Sequence, residues 1–380
     1  MLRKSILMFV CVVAVSTAAL SHDPPADISG ASTDGPHVFY EGGGIIVRSI
    51  ALQGEEYCVQ AERHMDKSTV RLTCTVEETG DVFSFPLKKN LSPETTNTWS
   101  LPEKMLVISD VEGNFEAMKR MLLTGGAIDA EFNWIYGKGH VVMVGDFFDR
   151  GLSVTECLWL AYKLEAEAAE AGGKVHFILG NHEIMNLSGH TDYVRSKYFE
   201  NARLMDKAYT ELFNADTELG RWLRTKNAVE RIGSYLFCHG GVSTELLNAD
   251  LGIGEINQIV RENLGLKASE MQTYEAQLIF NARLGIFWYR GLVRKEVPKA
   301  DVDRILQYYG ARHMVVGHTL VSDIAVLYDG SIIAIDLLHE ERIRTGKMST
   351  LTIEKGDMYV LDHHGRKEPL DQSVLANAKK

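Results

Sequence analysis

Positive charge is in short supply in this chain of 380 residues, which has 40 lysine and arginine residues against 51 aspartate and glutamate residues and a formal net charge of -11. A protein that holds polyphosphate backbones needs a basic surface. The composition therefore excludes nucleic acid as the main partner. The hydrophobic fraction of 45% is enough for a sizeable core.

Long apolar runs are also scarce, and the one near the start covers only residues 6–20, after Arg3 and Lys4. Small side chains at Ala19 and Ser21 fit a signal peptidase site, so residues 1–21 are predicted to be a signal peptide. The alternative is a membrane anchor, but the run is shorter than the roughly 20 apolar residues of a spanning helix. We therefore predict an exported protein, periplasmic or secreted, without a stable membrane anchor.

Cysteine is rare as well, with five in the chain and four after the leader. Cys58 and Cys74 lie on two strand-like runs separated by the polar segment HMDKS. If those runs paired as a hairpin, the two thiols would come within bonding reach, and an exported chain permits a disulfide. A disulfide and two unpaired buried thiols remain equal alternatives.

The pattern of apolar and polar residues changes near Pro102. Residues 22–100 are predicted to form a small antiparallel β region, because short runs there alternate apolar and polar residues. Over residues 101–365, continuous apolar runs alternate with helical patterns, which is typical of a sheet covered by helices. Residues 366–380 are predicted to be a polar tail.

The clearest helix is predicted over residues 154–171. Ser153 and Glu156 fit a capping box at its start, and Gly172 and Gly173 end it. With the strands on either side, this helix forms a crossover unit. Further helices are predicted over 191–230 and 255–284, within helical inserts at 188–230 and 244–290.

Five apolar runs each end in a residue that can bind a divalent cation. Ligands of α/β proteins gather beyond the carboxyl ends of the strands, so these five side chains are expected to meet in one crevice. Each signal alone is weak, because an Asp after a strand is usually a turn or a cap. Together they predict a metal centre. The residues are Asp110, Asp146, Asn181, His239 and His318.

The surrounding motifs resemble those of the calcineurin-like metallophosphoesterases over roughly residues 104–340. The segments GNHEIMNL and FWYRG are similar to those of the Shewanella-like phosphatases, and the first motif, Asp-x-Glu-Gly, resembles the cold-active protein-tyrosine phosphatase of that group. The resemblance implies an α/β fold, a two-sheet β sandwich flanked by helices, and makes 101–365 the catalytic domain. The segments are DVEGN at 110–114, GDFFDRG at 145–151, GNHEIMNL at 180–187, HGG at 239–241, FWYRG at 287–291 and VGHT at 316–319.

The resemblance also implies a centre of two divalent ions, Mn, Mg, Fe or Zn, bridged by Asp146. A hydroxide between the ions would attack phosphorus in line. The implied substrate is a phosphorylated protein or peptide, with phosphotyrosine favoured. One ion would be held by Asp110, Glu112 and Asp146, and the other by Asp146, Asn181, His239 and His318.

Glu112 stands where such centres usually have a histidine. If residues 110 and 112 lie on an extended segment, their side chains leave the same face and reach the same ion. A carboxylate there makes the centre less positive and favours the harder ions Mn, Mg or Fe. The alternative is that Glu112 turns away and water takes its place.

Four further residues have candidate catalytic roles. His182 is the candidate donor of a proton to the leaving group, and Asp149 could orient its ring. Arg150 and Arg290 present planar forks that suit phosphate oxygens. A structural role is expected for Glu183 and Asp336, which would hold the loops that carry the ligands.

The insert at 188–230 mixes basic and aromatic residues. A helical face carrying them could grip a phosphorylated side chain, or it could be an amphipathic cap with a solvated face. These residues include Tyr193, Arg195, Lys197, Tyr198 and Arg203.

Two other functions remain open at this stage. The same centre could hydrolyse dinucleoside polyphosphates or another small phosphoester. A noncatalytic binding protein on the same fold is the other alternative, and Glu112 is the one residue that favours it. The sequence leaves the oligomeric state undetermined.

Overall fold

The structure, a computed structural model, describes residues 30–370, so the predicted signal peptide lies outside the described residues. It is a mixed α/β fold, as predicted. In chain order the strands are β1 (Asp34–Glu41), β2 (Gly44–Gln53), β3 (Glu56–His64), β4 (Arg71–Thr75), β5 (Val82–Pro86), β6 (Thr98–Trp99), β7 (Lys104–Ile108), β8 (His140–Met143), β9 (Lys174–Phe177), β10 (Val229–Ile232), β11 (Tyr235–Cys238), β12 (His313–Val316), β13 (Ala325–Leu327), β14 (Ile332–Ala334), β15 (Ser349–Glu354), β16 (Asp357–Asp362) and β17 (Lys367–Pro369).

Ten α-helices are present in residues 30–370, and none of them is both long and apolar enough to cross a bilayer. Strand β17 lies within the stretch predicted as a polar tail. The helices are α1 (Phe115–Thr124), α2 (Val154–Glu170), α3 (Asn181–Leu187), α4 (Ser196–Leu204), α5 (Glu218–Leu223), α6 (Thr244–Asn248), α7 (Ile253–Asn263), α8 (Tyr274–Ile279), α9 (Lys299–Tyr308) and α10 (His339–Thr345), and the 3-10 helices are Lys67–Thr69, Tyr209–Phe213 and Ala268–Glu270.

Two six-stranded sheets pack face to face. One has the order β17-β16-β15-β7-β8-β9 and the other β13-β14-β12-β11-β10-β6. Their facing side chains, such as Val107 and Val142 from one sheet and Phe237 and Val315 from the other, form one buried cluster. Neighbouring residues on the same strands, such as Leu106, point outward to a second cluster under the helices. Because both faces are buried, these strands are continuously apolar in the sequence.

The N-terminal region contains the predicted antiparallel strands, as a three-stranded sheet β1-β2-β3 and a separate hairpin β4-β5. The hairpin pairing proposed for the cysteines is wrong. Cys58 lies on β3, which pairs with β2, and Cys74 lies on β4, which pairs with β5. Both are free thiols, as are the other two cysteines of residues 30–370. Local alternation predicts strands, but it does not decide which strands pair.

Helix α2 and its crossover from β8 to β9 follow the prediction, and β8 and β9 are parallel. The capping box is wrong. Ser153 makes no side-chain cap bond and instead donates to Glu78, at 2.7 Å. A long-range partner has replaced the local one, and Glu156 is buried.

The long helices predicted over 191–230 and 255–284 are wrong in extent, because each stretch is divided into short helices. Thr217 and Thr273 explain two of the divisions, since each accepts a backbone N–H at the start of a new helix, α5 and α8. Strand β10 begins within the first stretch.

Candidate metal centre

The two sheets bring the five predicted strand-end residues together. Strands β7, β8 and β9 are parallel, and β11 and β12 are parallel in the facing sheet. Their carboxyl ends therefore open into one crevice, as expected for α/β sheets. Asp110, Asp146 and Asn181 follow the first three strands, and His239 and His318 follow the other two.

The backbone at this crevice is unusual, because six candidate site residues have a positive φ. Residues other than glycine rarely adopt this left-handed backbone conformation, and those that do cluster at functional sites. The residues and their φ angles are Asp110 at 52°, Glu112 at 46°, Asp146 at 58°, Asp149 at 73°, Arg150 at 57° and His318 at 63°.

The glycines of the motifs allow the loops to approach closely. A Cβ on Gly180 would lie 2.3 Å from the Asp146 carboxylate, and one on Gly145 would lie 2.6 Å from the Gly180 backbone. Both are far inside van der Waals contact, so only glycine fits. Glu183 holds the same loops by accepting the N–H groups of Asp146, Phe147 and Gly180 at 2.9, 2.7 and 2.6 Å. This is the structural role expected for Glu183.

Asp146 and His239 lie at the middle of the centre. The Asp146 Oδ2 atom is 2.9 Å from His239 Nε2, and Asn181 Oδ1 is 3.0 Å from the same nitrogen. His239 Nδ1 donates to the Val144 carbonyl at 2.7 Å, so Nε2 is the nitrogen directed at the crevice. Burial lowers the pKa of His239, but Asp146 outweighs it and raises the value to about 9.

His318 and Asp110 close the other side. The backbone N–H of His318 donates to Asp110 Oδ1 at 3.0 Å, and the ring Nε2 of His318 donates to the Trp288 carbonyl at 3.0 Å. The His318 ring lies 5.2 Å from that of His239. Burial, with the nearby His239, lowers the pKa of His318 to about 2. The ring is therefore neutral, the form that binds metal.

This donor set fits divalent cations. In residues 30–370, two groups have ligand atoms within 4.8 Å of one another, and both contain Asp146: one adds His239 and His318, the other Glu112 and His182. Asp110 belongs to neither group. Burial and the neighbouring Asp336 raise the pKa of Asp110 well above its usual range. Crowded buried carboxylates beside imidazole and amide oxygen are suited to cations such as Mn, Fe or Zn.

The proposed proton donor and its partner are adjacent. His182 Nδ1 lies 2.5 Å from Asp149 Oδ2, and both residues are almost completely buried. His182 Nε2 is directed at the crevice, 3.8 Å from Asp146 Oδ2. Burial lowers the pKa of His182, but Asp146 and Asp149 together hold it above its usual range. The ring can therefore carry a proton into the crevice.

The expected extended geometry at Glu112 is wrong, because residues 110 and 112 both have left-handed φ angles. The carboxylate still faces the centre, since Glu112 Oε1 is 3.9 Å from His182 Nε2. The same oxygen forms an ion pair with Arg150. The long-range approach of the two loops, with the Gly151 N–H donating to the Glu112 carbonyl at 2.8 Å, sets this geometry.

Both candidate phosphate-binding arginines lie at the crevice. The Arg150 side chain is half exposed at its mouth. Arg290 is half-buried and donates to the His318 carbonyl at 2.5 Å, so its side chain is held at the crevice and is not fully solvated. Asp336, expected to be structural, lies close enough to Asp146 for that charge, after burial, to raise its pKa to about 6.

The basic and aromatic residues of the 188–230 insert do not form one exposed face, which was one of the two alternatives for this insert. Lys197 and Tyr198 are buried. Lys197 donates to the Leu152 carbonyl, and the Tyr198 hydroxyl accepts from the Val154 N–H at 2.8 Å. Tyr193 precedes α4, and its ring contacts His182 and Arg150.

The chain is similar to known phosphoesterases in sequence and in fold. Residues 103–322 match the family described as calcineurin-like phosphoesterase. The crystal structure of the cold-active protein-tyrosine phosphatase of a psychrophile, Shewanella sp., superposes with a TM-score of 0.79 at 32% identity, covering 90% of this chain and 100% of that one. These findings confirm the resemblance predicted from the sequence.

Two curated relatives are more distant. Shewanella-like protein phosphatase 1 of Plasmodium berghei (strain Anka) is 30% identical over 57% of this chain, and Shewanella-like protein phosphatase 2 of Arabidopsis thaliana is 27% identical over 58%. The chain spans 61% of the length of the first and 66% of the second.

Proposed function

This chain belongs to the calcineurin-like phosphoesterase family, and from that membership we propose that it is a metal-dependent phosphomonoesterase. Its proposed substrate is a phosphorylated protein or peptide, with phosphotyrosine favoured. The names of the relatives support the protein substrate, and the name of one similar solved structure, the protein-tyrosine phosphatase of Shewanella sp., supports the preference for phosphotyrosine.

The observation that carries the proposal is the meeting of five strand-end residues from two sheets in one buried crevice. The residues that would hold two divalent cations are Asp110, Asp146, Asn181, His239 and His318, with Glu112 as a further ligand. Bound Mn, Mg, Fe or Zn ions supply positive charge to the phosphoryl oxygens and lower the pKa of the attacking water.

The remaining residues act on the substrate. Arg150 and Arg290 hold phosphoryl oxygens from two sides of the crevice, through planar guanidinium groups. His182 donates a proton from Nε2 to the leaving oxygen as it gains charge, and the Asp149 carboxylate fixes the ring through Nδ1.

The test is elemental analysis of the purified full chain together with turnover of a phosphopeptide panel, p-nitrophenyl phosphate and a dinucleoside polyphosphate. We expect bound divalent metal and turnover of phosphopeptides, with Asp146→Asn inactive and the surface variant Asp303→Asn unchanged. Turnover of the dinucleotide alone would favour the small-phosphoester alternative. If no substrate is turned over with any divalent ion, the proposed enzymatic function is wrong and a noncatalytic binding protein is favoured.

We also propose that the chain is exported to the periplasm or secreted. The pattern of residues 1–21 supports this, although it lies outside the described residues. N-terminal sequencing of the mature protein tests the proposal. A protein that retains Met1 would contradict it.

A further inference from the structure

The loop between α3 and α4, residues 188–195, reaches the mouth of the crevice. There the Tyr193 ring lies 5.3 Å from the His182 ring, edge to face at 68°. The Arg150 guanidinium lies over the Tyr193 ring at 5.4 Å from its centroid. The Arg150 N–H also donates to the Tyr193 carbonyl at 3.1 Å. Tyr193 is therefore fixed against two proposed catalytic residues by its ring and its backbone.

The Tyr193 side chain is nevertheless open to solvent. Its residue exposure is 48%, and the Arg150 side chain is 52% exposed, whereas His182 and Asp149 are 3% and 1% exposed. The buried pair thus forms the floor of the crevice, and Tyr193 and Arg150 form its mouth. A phosphoryl group held between His182 and the Arg150 guanidinium would have the rest of its side chain beside the Tyr193 ring, because that ring contacts both residues.

The length and chemistry of that side chain then decide what the ring contacts. A phosphotyrosine has its aromatic ring next to the phosphoryl oxygen, so the ring lies at the level of Tyr193. Aromatic pairs attract each other in tilted and offset arrangements, beyond the burial of their surface. The short aliphatic side chain of phosphoserine offers no ring at this level.

We propose that Tyr193 is a specificity-determining residue that packs against the aromatic ring of a phosphotyrosine substrate. This inference rests on the proposed phosphatase function and adds to it a structural origin for the preference among phosphorylated residues. No signal in the sequence distinguishes Tyr193 from the other aromatic residues of the insert.

The experiment compares Tyr193→Ala and Tyr193→Phe on two peptides of the same sequence that carry phosphotyrosine or phosphoserine. We expect Tyr193→Ala to lower kcat/KM for the phosphotyrosine peptide by about 3- to 10-fold. The same substitution should change kcat/KM for the phosphoserine peptide little. Tyr193→Phe keeps the ring and should behave as the unchanged protein. Tyr274→Ala, at an exposed tyrosine on α8, is the matched control.

A binding measurement separates recognition from positioning. Phenylphosphonate and methylphosphonate are both stable to hydrolysis, and only the first carries a ring. We expect Tyr193→Ala to weaken inhibition by phenylphosphonate and to leave methylphosphonate unchanged. If Tyr193 acts only by holding His182 and Arg150, Tyr193→Ala would weaken inhibition by both phosphonates equally and lower kcat/KM for both peptides equally. That result would overturn the inference.

The two levels of proposal fail differently. A protein that hydrolyses both peptides, with both rates unaffected by Tyr193→Ala, overturns the role of Tyr193 alone. A metal-loaded protein that turns over neither peptide nor p-nitrophenyl phosphate overturns the proposed function, and the role of Tyr193 with it.

Discussion

At the scale of single residues, the Glu112 carboxylate contacts both the metal centre and an arginine. Its carboxylate is one of the groups gathered around Asp146, and it also pairs with the Arg150 guanidinium. A carboxylate in this position adds negative charge to the centre and competes with a substrate phosphate for Arg150. Both effects make the crevice less attractive to anions.

Replacing Glu112 by histidine tests its influence on the metals. We expect Glu112→His to lower the pH optimum, because a more positive centre acidifies its water more strongly, and to shift the metal preference towards Zn. The measurement is activity against pH with Mn, Mg, Fe and Zn in turn, with elemental analysis of each preparation. An unchanged optimum and an unchanged preference would argue against ligation by Glu112.

The bond between Asp149 and His182 gives a second prediction. Asp149→Asn should lower kcat by about 100-fold or more on phosphotyrosine peptides, because His182 loses the carboxylate that orients it and raises its pKa. The loss should be smaller with p-nitrophenyl phosphate, whose leaving group needs little protonation. Equal losses on both substrates, or a loss of bound metal, would contradict proton donation by His182.

At the scale of elements, helix α2 carries a buried acid near its start. Glu156 is 1% exposed, and its Oε2 atom has no hydrogen-bond partner among residues 30–370. Burial raises its pKa from 4.5 to about 8, and Asp34 and Glu78 add to the rise while Lys197 opposes it. The folded protein thus keeps a proton that the unfolded chain releases.

This difference has a defined sign. Between pH 4.5 and about 8 the folded state binds one more proton at Glu156 than the unfolded state, so the free energy of unfolding falls as pH rises through that window. We expect Glu156→Gln to remove this slope, so that its Tm advantage over the unchanged protein grows across the window. Thermal unfolding followed by circular dichroism at several pH values measures it, and a constant difference in Tm would refute the assignment.

At the scale of the whole molecule, the N-terminal strands and the catalytic part share one core. Phe85 on β5 packs on Trp159 of α2 at 5.3 Å between ring centroids, and the Trp159 indole donates to the Pro36 carbonyl at 2.7 Å. Phe83 stacks on Phe115 of α1 at 6.0 Å. Helices α1 and α2, which follow the loops that carry Asp110 and Asp146, therefore bury side chains against the first strands.

A chain that starts at residue 101 should not fold. This truncation removes β1 to β6, and the loss of β4 and β5 would expose Phe115 and Trp159, large aromatic side chains whose burial is worth about 1.5–3 kcal/mol each. We expect such a truncation to be insoluble or to lack a cooperative unfolding transition, whereas a chain that starts at residue 30 should unfold as the full chain does. A stable, metal-binding fragment 101–380 would disprove the shared core.

The sequence alone determined the features that depend on neighbours along the chain. Continuous apolar runs predicted the strands that are buried on both faces, because burial along a strand depends on residues adjacent in the sequence. The ends of these strands were predicted from the polar residues that follow them, Asp110, Asp146, Asn181, His239 and His318. The carboxyl ends of parallel strands meet at one edge of a sheet, and this rule predicts that these side chains lie together.

Only the tertiary structure decided the contacts between segments distant in the sequence. Strand pairing separated Cys58 from Cys74, the approach of two loops gave Glu112 a left-handed backbone and Arg150 as partner, and a connecting loop placed Tyr193 against His182. Such contacts depend on the packing of whole elements, whose energies come from burial spread over many residues, so no local pattern specifies them.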